Sequence, residues 1–315
     1  MTAYNHHDVV IIGGGVAGLS AAVALARSLR SVAVVDAGEP RNAPASGAHN
    51  LLGQEGIAPL DLLANGRREA AAYGAQILNS RATTARRVDD GFEIDLADGT
   101  ILHCRRLLLA SGLVDELPDV PGVARSWGHS VLHCPYCHGW EVRGQRIGVL
   151  GTSPMSVHQA LLFRQLSDDV TLFAHTMPDL DDESVERLAA RNIALVSGTV
   201  ERLRTDGDDV RAVVVDGREF PVDAVTVAPR FVARSELYEQ LGGTVTEHPM
   251  GSFIATEAMG RTDVPGVWAA GNASTLNAMV AASNGAGVEA AAAINADLVS
   301  EDTDIAVRAR VPSAG

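Results

Sequence analysis

Basic side chains and cysteines are scarce in this chain. Its 315 residues include 39 Asp and Glu but only 25 Lys and Arg, a formal net charge of −14 at pH 7. So acidic a protein is a poor partner for nucleic acids or anionic membranes, and we expect neither. Three cysteines are few for this length and fit a reducing compartment, so we expect a cytoplasmic protein.

Long uninterrupted apolar runs are also missing. The nearest candidate, residues 9–26, is broken by three consecutive glycines and is preceded by His6, His7 and Asp8 instead of a basic run. It is therefore interpreted as a strand, turn and helix and not as a signal peptide. No other run approaches the length of about 20 residues that a membrane span needs, so none is expected.

A glycine-rich turn lies between a predicted strand and a predicted helix near the N-terminus. Residues 8–12 are a β-branched run typical of a buried strand, and residues 16–29 are rich in Ala and Leu. Residues 13–18 between them match the G-x-G-x-x-G pattern, and the next strand, residues 32–35, ends at Asp36. This order of strand, glycines, helix and acidic residue predicts a dinucleotide-binding unit, with a purely structural glycine turn as the alternative.

Each residue of this motif has a physical task. Gly13 permits the tight turn, Gly15 lets the backbone approach a pyrophosphate, and Gly18 lets the helix pack closely on the strand. The helix N-terminus binds the phosphates, and Asp36 is placed to bind the ribose hydroxyls.

The most informative stretch begins at residue 133 and reads His-Cys-Pro-Tyr-Cys-His-Gly-Trp. Pro135 suits the first turn of a helix, which puts Cys134 at a helix start, where the dipole and free N–H groups favour a thiolate. His133 and His138 supply basic groups next to Cys134 and Cys137. A thiolate beside a proton acceptor is what thiol–disulfide exchange requires, so the stretch predicts a redox-active dithiol.

A zinc half-site and a structural disulfide are the alternatives. Zinc usually takes four ligands, and the only other cysteine, Cys104, is isolated on an apolar run that resembles a strand. A structural disulfide would imply export, for which the sequence has no signal.

A second strand–turn–helix unit begins at residues 146–150 with the same layout but different chemistry. Ser153 and Ser156 replace the second and third motif glycines, and a side chain at 153 would crowd a pyrophosphate. No arginine follows the next strand after Phe173, so a 2′-phosphate would lack a partner. We expect this unit not to bind NADPH; a variant loop that still binds it is the alternative.

The length suits about two domains, and the two strand–turn–helix units predict an α/β fold with two Rossmann-like dinucleotide-binding domains. Near the C-terminus, residues 264–272 are interpreted as a strand ending in Gly271 and Asn272. Residues 278–298 are interpreted as a long Ala-rich helix, with fraying expected from about residue 301.

Together these motifs resemble the low-molecular-weight thioredoxin reductases, flavoproteins with two dinucleotide-binding domains. The resemblance spans nearly the whole chain. It implies an FAD-binding domain of residues 1–114 and 249–315, a central NAD(P)-binding-like domain of residues 115–248 that carries the dithiol, and a homodimer. It also implies FAD contacts from Gly13, Gly15, Val16, Ala17, Gly18, Asp36, Arg41, Asn50, Ala110, Ser111, Gly112, Gly271, Asn272, Met279 and Val280.

Asn272 replaces an Asp of the family pattern, leaving an amide that can still bond a ribityl hydroxyl. Two further departures point to one branch of the family: the Asp after the second cysteine is His138, and the NADPH fingerprint is degraded. Cys-Pro-Tyr-Cys-His-Gly resembles the dithiol oxidases that close disulfides in natural products such as holomycin and gliotoxin. That branch uses FAD and O₂ and does not need NADPH.

The resemblance implies an FAD-dependent dithiol oxidase that acts on a small-molecule dithiol and reduces O₂ to H₂O₂, with no metal. In the implied roles, Cys134 faces the substrate, Cys137 faces the flavin and His138 is the base for the thiol protons. The alternatives are a reductase of a thioredoxin-like protein that uses NADPH or another donor, and a non-catalytic FAD-bound redox sensor.

Overall fold

The computed structural model describes residues 5–310. Its first part carries the predicted glycine-rich turn between β1 and α1. The elements of this part are β1 (His6–Ile12), α1 (Val16–Arg27), β2 (Val32–Asp36), α2 (Pro59–Ala72), β3 (Gln76–Asn79), β4 (Ala82–Val88), β5 (Gly91–Leu96) and β6 (Ile101–Leu109).

The middle part carries the dithiol on a one-turn helix, α4. Its elements are β7 (Leu113–Glu116), α3 (Val123–Ser126), β8 (Val131–Leu132), α4 (Pro135–His138), β9 (Ile147–Leu150), α5 (Met155–Phe163), β10 (Val170–Phe173), α6 (Asp182–Ala190), β11 (Ala194–Val196), β12 (Val200–Asp206), β13 (Asp209–Val215), β14 (Arg218–Pro221), β15 (Ala224–Thr226), β16 (Arg230–Ala233), α7 (Glu236–Gln240) and β17 (Thr246–His248). The last part contains β18 (Gly251–Phe253), β19 (Val267–Ala269), α8 (Val280–Arg310) and two 3₁₀ turns, Ala258–Gly260 and Gly271–Ala273.

The largest sheet has the order β3-β2-β1-β6-β5-β4, and β19 also pairs with β6. Strands β3, β2, β1, β6 and β19 run parallel, while β5 and β4 are antiparallel. The carboxyl ends of the parallel strands therefore share one edge, which is where open α/β sheets bind ligands.

A second sheet, in the order β11-β10-β9-β15-β8, is parallel throughout. The dithiol follows the carboxyl end of β8 directly, so this sheet presents the cysteines at its own ligand-binding edge. A mixed sheet and a parallel sheet, each with a strand–turn–helix unit, confirm the predicted α/β fold class.

Alternate side chains of β1 enter two different hydrophobic clusters. Val9 and Ile11 pack with α1 and α8 on one face, while Val10 and Ile12 pack with residues of β5 and β6 on the other. Because side chains alternate along a strand, a run with no polar member is required when both faces are covered. This explains the continuous apolar sequence before the glycines.

The predicted domain boundaries fall in a small four-stranded sheet of order β17-β18-β16-β7. The break after residue 114 lies within β7, and the break after residue 248 lies between β17 and β18. This sheet is thus shared by both parts of the chain, and the division into two domains stays a prediction.

The C-terminal helix is longer than predicted, because α8 continues to Arg310 instead of fraying from residue 301. Arg105 of β6 binds Glu301 at 2.8 Å and Asp302 at 2.5 Å, and Arg30 binds Asp302 at 2.7 Å. These long-range ion pairs hold residues 301 and 302 in the helix, where the local sequence predicted fraying. None of the helices within residues 5–310 combines the length and apolar character needed to cross a membrane.

Candidate active site

One cavity of about 1520 Å³ joins the glycine-rich turn to the dithiol. Of the predicted site residues, Gly18 and Asn50 lie outside its lining. The others line it: Gly13, Gly15, Val16, Ala17, Asp36, Arg41, Ala110, Ser111, Gly112, Cys134, Cys137, His138, Gly271, Asn272, Met279 and Val280. The tertiary fold therefore brings together residues from three distant parts of the chain.

The three motif glycines are constrained in different ways. Gly13 has a φ of +107°, and a Cβ there would overlap the carbonyl oxygen of Ala110. A Cβ at Gly18 would overlap the carbonyl oxygen of Gly13, so this glycine lets α1 pack closely. A Cβ at Gly15 would meet no protein atom within 4 Å. Gly15 therefore leaves open a cradle that a side chain would fill, as a pyrophosphate-binding position requires.

Asp36 lies at the end of β2 with its carboxylate already oriented by protein groups. Arg67 of α2 donates to Oδ2, and the backbone N–H of Gly38 donates to Oδ1 at 3.2 Å. The charged partner fixes the side chain at the cavity edge and leaves acceptor capacity on the carboxylate, which has about four lone-pair sites.

Arg41 and Asn272 meet at the cavity wall. Arg41 makes a two-pronged ion pair with Asp115, at 2.8 and 2.7 Å, and its Nη1 donates to Oδ1 of Asn272 at 3.3 Å. Nδ2 of Asn272 donates to the carbonyls of residues 275, 276 and 278, at 3.1, 3.3 and 3.0 Å. A carboxylate cannot donate these bonds, which gives a structural reason for Asn at this position.

The two cysteines of the dithiol are free and lie at the start of α4. Cys134 is the N-cap residue, Pro135 opens the helix, and the Sγ atoms of Cys134 and Cys137 are 2.8 Å apart. The backbone N–H groups of Cys137 and His138 donate to the carbonyl of Cys134, at 3.3 and 3.2 Å. This is the helix start that the position of the proline predicts.

The pKa values of the two thiols are shifted in opposite directions. A hydrogen bond from Cys137 lowers the pKa of Cys134 to about 7, helped by nearby backbone N–H groups and the charge of Arg41. Donating that bond raises the pKa of Cys137, as do burial and the neighbouring thiolate. The reduced pair therefore holds its negative charge on Cys134 and its proton on Cys137.

His138 is half-buried at the end of α4. Burial lowers the pKa of its imidazole, an effect that Glu141 opposes and His49 reinforces. Its Nε2 is buried and has no hydrogen-bond partner within residues 5–310. A neutral imidazole with a free ring nitrogen beside the dithiol can accept a proton at neutral pH.

His133, on the other side of Cys134, is held by the protein. Its Nδ1 donates to the carbonyl of Val227 at 3.0 Å, which leaves the lone pair of the neutral ring on Nε2. Burial lowers the pKa of this histidine as well. Gln159 of α5 donates to the carbonyls of both His133 and Val227, at 3.0 and 3.2 Å.

The loop before α2 contacts the dithiol helix. Nδ2 of Asn50 donates to the carbonyl of Tyr136 at 2.8 Å, so its amide binds the dithiol segment and does not reach into the cavity. His49, one residue earlier, lies between the carboxylates of Glu55 and Glu141. This loop therefore ties the glycine-rich part of the chain to the dithiol part.

The glycine-poor loop between β9 and α5 satisfies its own backbone. Oγ of Ser156 accepts from the N–H groups of Thr152 and Ser153, at 3.1 and 3.4 Å. The Sδ of Met177 lies 2.6 Å from where a Cβ on Gly151 would be, so it packs directly over this glycine. Two backbone N–H groups of this turn, those of Thr152 and Ser153, are therefore already bonded within the loop.

Cys104 lies apart from the dithiol pair. Cys104 is buried on β6, and burial raises the pKa of its thiol to about 12, which makes it unreactive near neutrality. In the part of the chain from residue 5 to 310, no group of three or more His, Cys, Asp or Glu side chains could hold a metal ion. A zinc ion bound by Cys134 and Cys137 would therefore lack a third ligand of these types among the described residues.

Residues 7–293 match the family model for pyridine nucleotide-disulphide oxidoreductases. The chain belongs to this family. It is an FAD-dependent oxidoreductase, and the predicted resemblance to thioredoxin reductase-like flavoproteins is confirmed.

Relatives and solved structures agree with this placement. A thioredoxin reductase named tcpT, from Claviceps purpurea (strain 20.1), is 33% identical over 288 residues, or 86% of this chain and 88% of the relative. The crystal structure of HlmI has a TM-score of 0.90 and 45% identity, with 98% of each chain covered. An oxidoreductase from Agrobacterium tumefaciens has a TM-score of 0.88 and 36% identity, covering 93% of this chain and 99% of its own.

Sequence reasoning missed several residues that the site uses. Arg67 lies on a helix with nothing in its local sequence to mark it, and it reaches Asp36 only in the folded protein. In the sequence, position 177 indicated only that no arginine stands there. In the structure, the Met177 side chain covers Gly151. His49 and Glu55 could have been noticed in the sequence, since a histidine and a carboxylate stand six residues apart in the segment that the structure shows as a loop before α2.

Proposed function

We propose that this protein is an FAD-dependent dithiol oxidase that forms a disulfide in a small-molecule, natural-product dithiol and reduces O₂ to H₂O₂. One observation carries the proposal: the dithiol and His138 line the same cavity as the open glycine cradle. Substrate exchange and electron transfer to a cofactor can then occur without a second nucleotide site.

The residues of the cavity fit FAD. The open position at Gly15 and the start of α1 would hold the pyrophosphate, and the carboxylate of Asp36 would hold the ribose hydroxyls. Oδ1 of Asn272 has room for one further donor, which suits a ribityl hydroxyl. The chemistry that bound FAD supplies is acceptance of an electron pair and its transfer to O₂, which yields H₂O₂.

The chain's own residues carry out the disulfide exchange. One substrate thiolate attacks Sγ of Cys134 in the Cys134–Cys137 disulfide, the S–S bond breaks, and Cys137 leaves. The second substrate thiolate attacks the mixed disulfide and releases Cys134, which leaves two electrons on the cysteine pair. His138 accepts protons from the substrate thiols, because its buried imidazole is neutral near pH 7.

The loop between β9 and α5 argues against a nicotinamide donor. The N–H groups of Thr152 and Ser153 are bonded to Ser156, Met177 covers Gly151, and residues 174–177 contain no arginine for a 2′-phosphate. We therefore propose that residues 115–248 form a central domain that carries the dithiol but has lost its nicotinamide site. The FAD-binding domain would comprise residues 1–114 and 249–315, and the family expectation of a homodimer stays a prediction.

A second candidate function is reduction of a thioredoxin-like protein with NADPH or another electron donor. The tcpT relative, a thioredoxin reductase by name, favours it. The two functions differ in their electron donor and acceptor, so they can be separated directly.

The deciding experiment measures O₂ uptake and H₂O₂ production by purified, yellow holoenzyme with dithiothreitol as a model dithiol and no nicotinamide. An oxidase turns over under these conditions. The matched anaerobic experiment adds NADPH or NADH and follows the flavin absorbance, which should stay oxidised over minutes. Rapid bleaching by NADPH together with no O₂ uptake would favour the reductase instead.

A further inference from the structure

One side of helix α5 faces the cavity that contains the dithiol. Met155, His158, Gln159 and Leu162 all line this cavity. The last three follow Met155 by three, four and seven residues, a spacing that puts all four on one side of the helix. We call these four residues the α5 cavity face.

The α5 cavity face lies next to Cys134. Nε2 of Gln159 donates to the carbonyl of His133, the residue before Cys134, at 3.0 Å. At the other end of α4, a Cβ on Gly139 would overlap the side chain of Leu166, so this end packs directly on the segment that follows α5. The two helices are therefore in contact, and the dithiol lies between their cavity-facing sides and the open space.

The sheet topology also places the start of α5 near the dithiol. β8 precedes the dithiol, β9 precedes α5, and the two strands are parallel with only β15 between them. Neighbouring strands lie about 4.8 Å apart, so the carboxyl ends of β8 and β9 are about 10 Å apart. A small molecule joined to Cys134 in the mixed disulfide would therefore lie against the first turns of α5.

This part of the cavity wall has no permanently charged side chain. Its lining residues are Thr152, Ser153, Pro154 and the α5 cavity face, none of which is Asp, Glu, Lys or Arg. The arginines that line other parts of the cavity each pair with a carboxylate: Arg41 with Asp115, Arg81 with Glu39, Arg230 with Glu247 and Arg234 with Glu39. A charged substrate group would lose water at the α5 cavity face without gaining a permanently charged partner, which is unfavourable.

Two exposed apolar side chains line the cavity close to the dithiol. Met155, the first residue of α5, is 60% exposed, and Tyr136, between the two cysteines, is 64% exposed. A methionine thioether adapts to irregular shapes and a tyrosine ring offers a flat apolar surface, so both suit a ligand with an apolar body.

We propose that the α5 cavity face is the substrate-binding surface of the dithiol, that Met155 is a specificity-determining residue on it, and that the substrate is a dithiol with an uncharged, apolar body. The proposal rests on the proposed dithiol chemistry. It adds a substrate class and a recognition residue outside the dithiol motif.

The test compares 1,4-dithiols that differ only in their bodies. 1,4-Butanedithiol is apolar, dithiothreitol adds hydroxyl groups, and 2-amino-1,4-butanedithiol adds a cationic amine. Each is mixed anaerobically with oxidised holoenzyme near pH 7, and the rate of flavin bleaching is followed against dithiol concentration to give a limiting rate and a half-saturating concentration. The variants are Met155→Ala and Met155→Glu. Met259→Glu is the matched control, because Met259 is 45% exposed and lies outside the cavity lining.

Wild type should be half-saturated by 1,4-butanedithiol at a concentration about tenfold or more below that for dithiothreitol, the scale on which an apolar site discriminates against a hydroxyl. Met155→Ala should reduce this ratio by about threefold or more, because apolar contact area is lost, and should keep the limiting rate. Met155→Glu should lower the half-saturating concentration of the cationic dithiol by about fivefold, the effect of one close charge pair in water, and should raise that of 1,4-butanedithiol. Met259→Glu should match wild type with every dithiol.

Equal half-saturating concentrations of 1,4-butanedithiol and dithiothreitol in wild type would overturn the substrate class. Met155 variants that change the three concentrations no more than Met259→Glu does would overturn the role of Met155. A wild type that dithiols bleach but that consumes no O₂ would defeat the oxidase proposal alone, and the comparison of dithiols would still decide the binding surface. A wild-type flavin that none of the dithiols bleaches would defeat both.

Discussion

Replacing His138 with alanine should make dithiol oxidation strongly dependent on pH. Burial lowers the pKa of this imidazole below the ordinary histidine value. In the wild type the ring is therefore neutral at pH 7 and able to accept a proton. In the alanine variant the substrate thiols must ionise unaided. A free thiol with a pKa of about 8.5 is about 3% thiolate at pH 7 and about 76% thiolate at about pH 9.

These fractions set the size of the effect. We take ionisation of the substrate thiol not to limit turnover while His138 is present. Loss of His138 should then lower kcat by roughly tenfold to 30-fold near pH 7 and by less than about twofold near pH 9. The assay is O₂ uptake with dithiothreitol from about pH 6 to about pH 9. His129→Ala provides the control for an exposed histidine.

The competing explanation is that His138 only fixes the start of the helix. Its side chain makes no hydrogen bond within the described residues, so alanine removes packing but no polar contact. A purely structural role predicts a deficit that is independent of pH and accompanied by a lower melting temperature. An equally large deficit at about pH 6 and about pH 9 would refute the general-base role.

Cys134→Ser and Cys137→Ser should both abolish turnover and keep FAD, with Cys137→Ser still able to trap substrate on Cys134 as a mixed disulfide visible by mass spectrometry. Cys104→Ser should be nearly silent, and an inactive Cys104→Ser beside a dispensable motif cysteine would reassign the redox pair. Asp36→Ala should weaken FAD retention by about 1.5–3 kcal/mol, measured by flavin release, because a charged acceptor is lost; unchanged retention would argue against its ribose contact. Asn272→Asp should lower the melting temperature, because an aspartate cannot donate to the three carbonyls that share the two Nδ2 hydrogens, a loss of up to two hydrogen bonds at about 0.5–1.5 kcal/mol each, and an unchanged melting temperature would contradict this.

The sequence by itself determined the features that depend on a few neighbouring residues. The glycine-rich turn after β1 is one, because a Cβ at Gly18 would overlap the carbonyl oxygen of Gly13, five residues earlier in the same motif. The start of α4 is another, because a proline at the first helical position puts Cys134 at the N-cap whatever surrounds it. The alternation of strands and helices likewise predicts the α/β class from local patterns alone.

Only the tertiary structure decided which distant groups meet. Arg67 on Asp36, Met177 over Gly151 and Asn50 on the carbonyl of Tyr136 are contacts between separate elements, and their geometry depends on how the loops close. The order of α8 beyond residue 301 has the same origin, because arginines far away in the sequence bind its acidic turn. Local sequence sets backbone conformation over a few residues, whereas ion pairs and hydrogen bonds between elements exist only after the sheets have assembled.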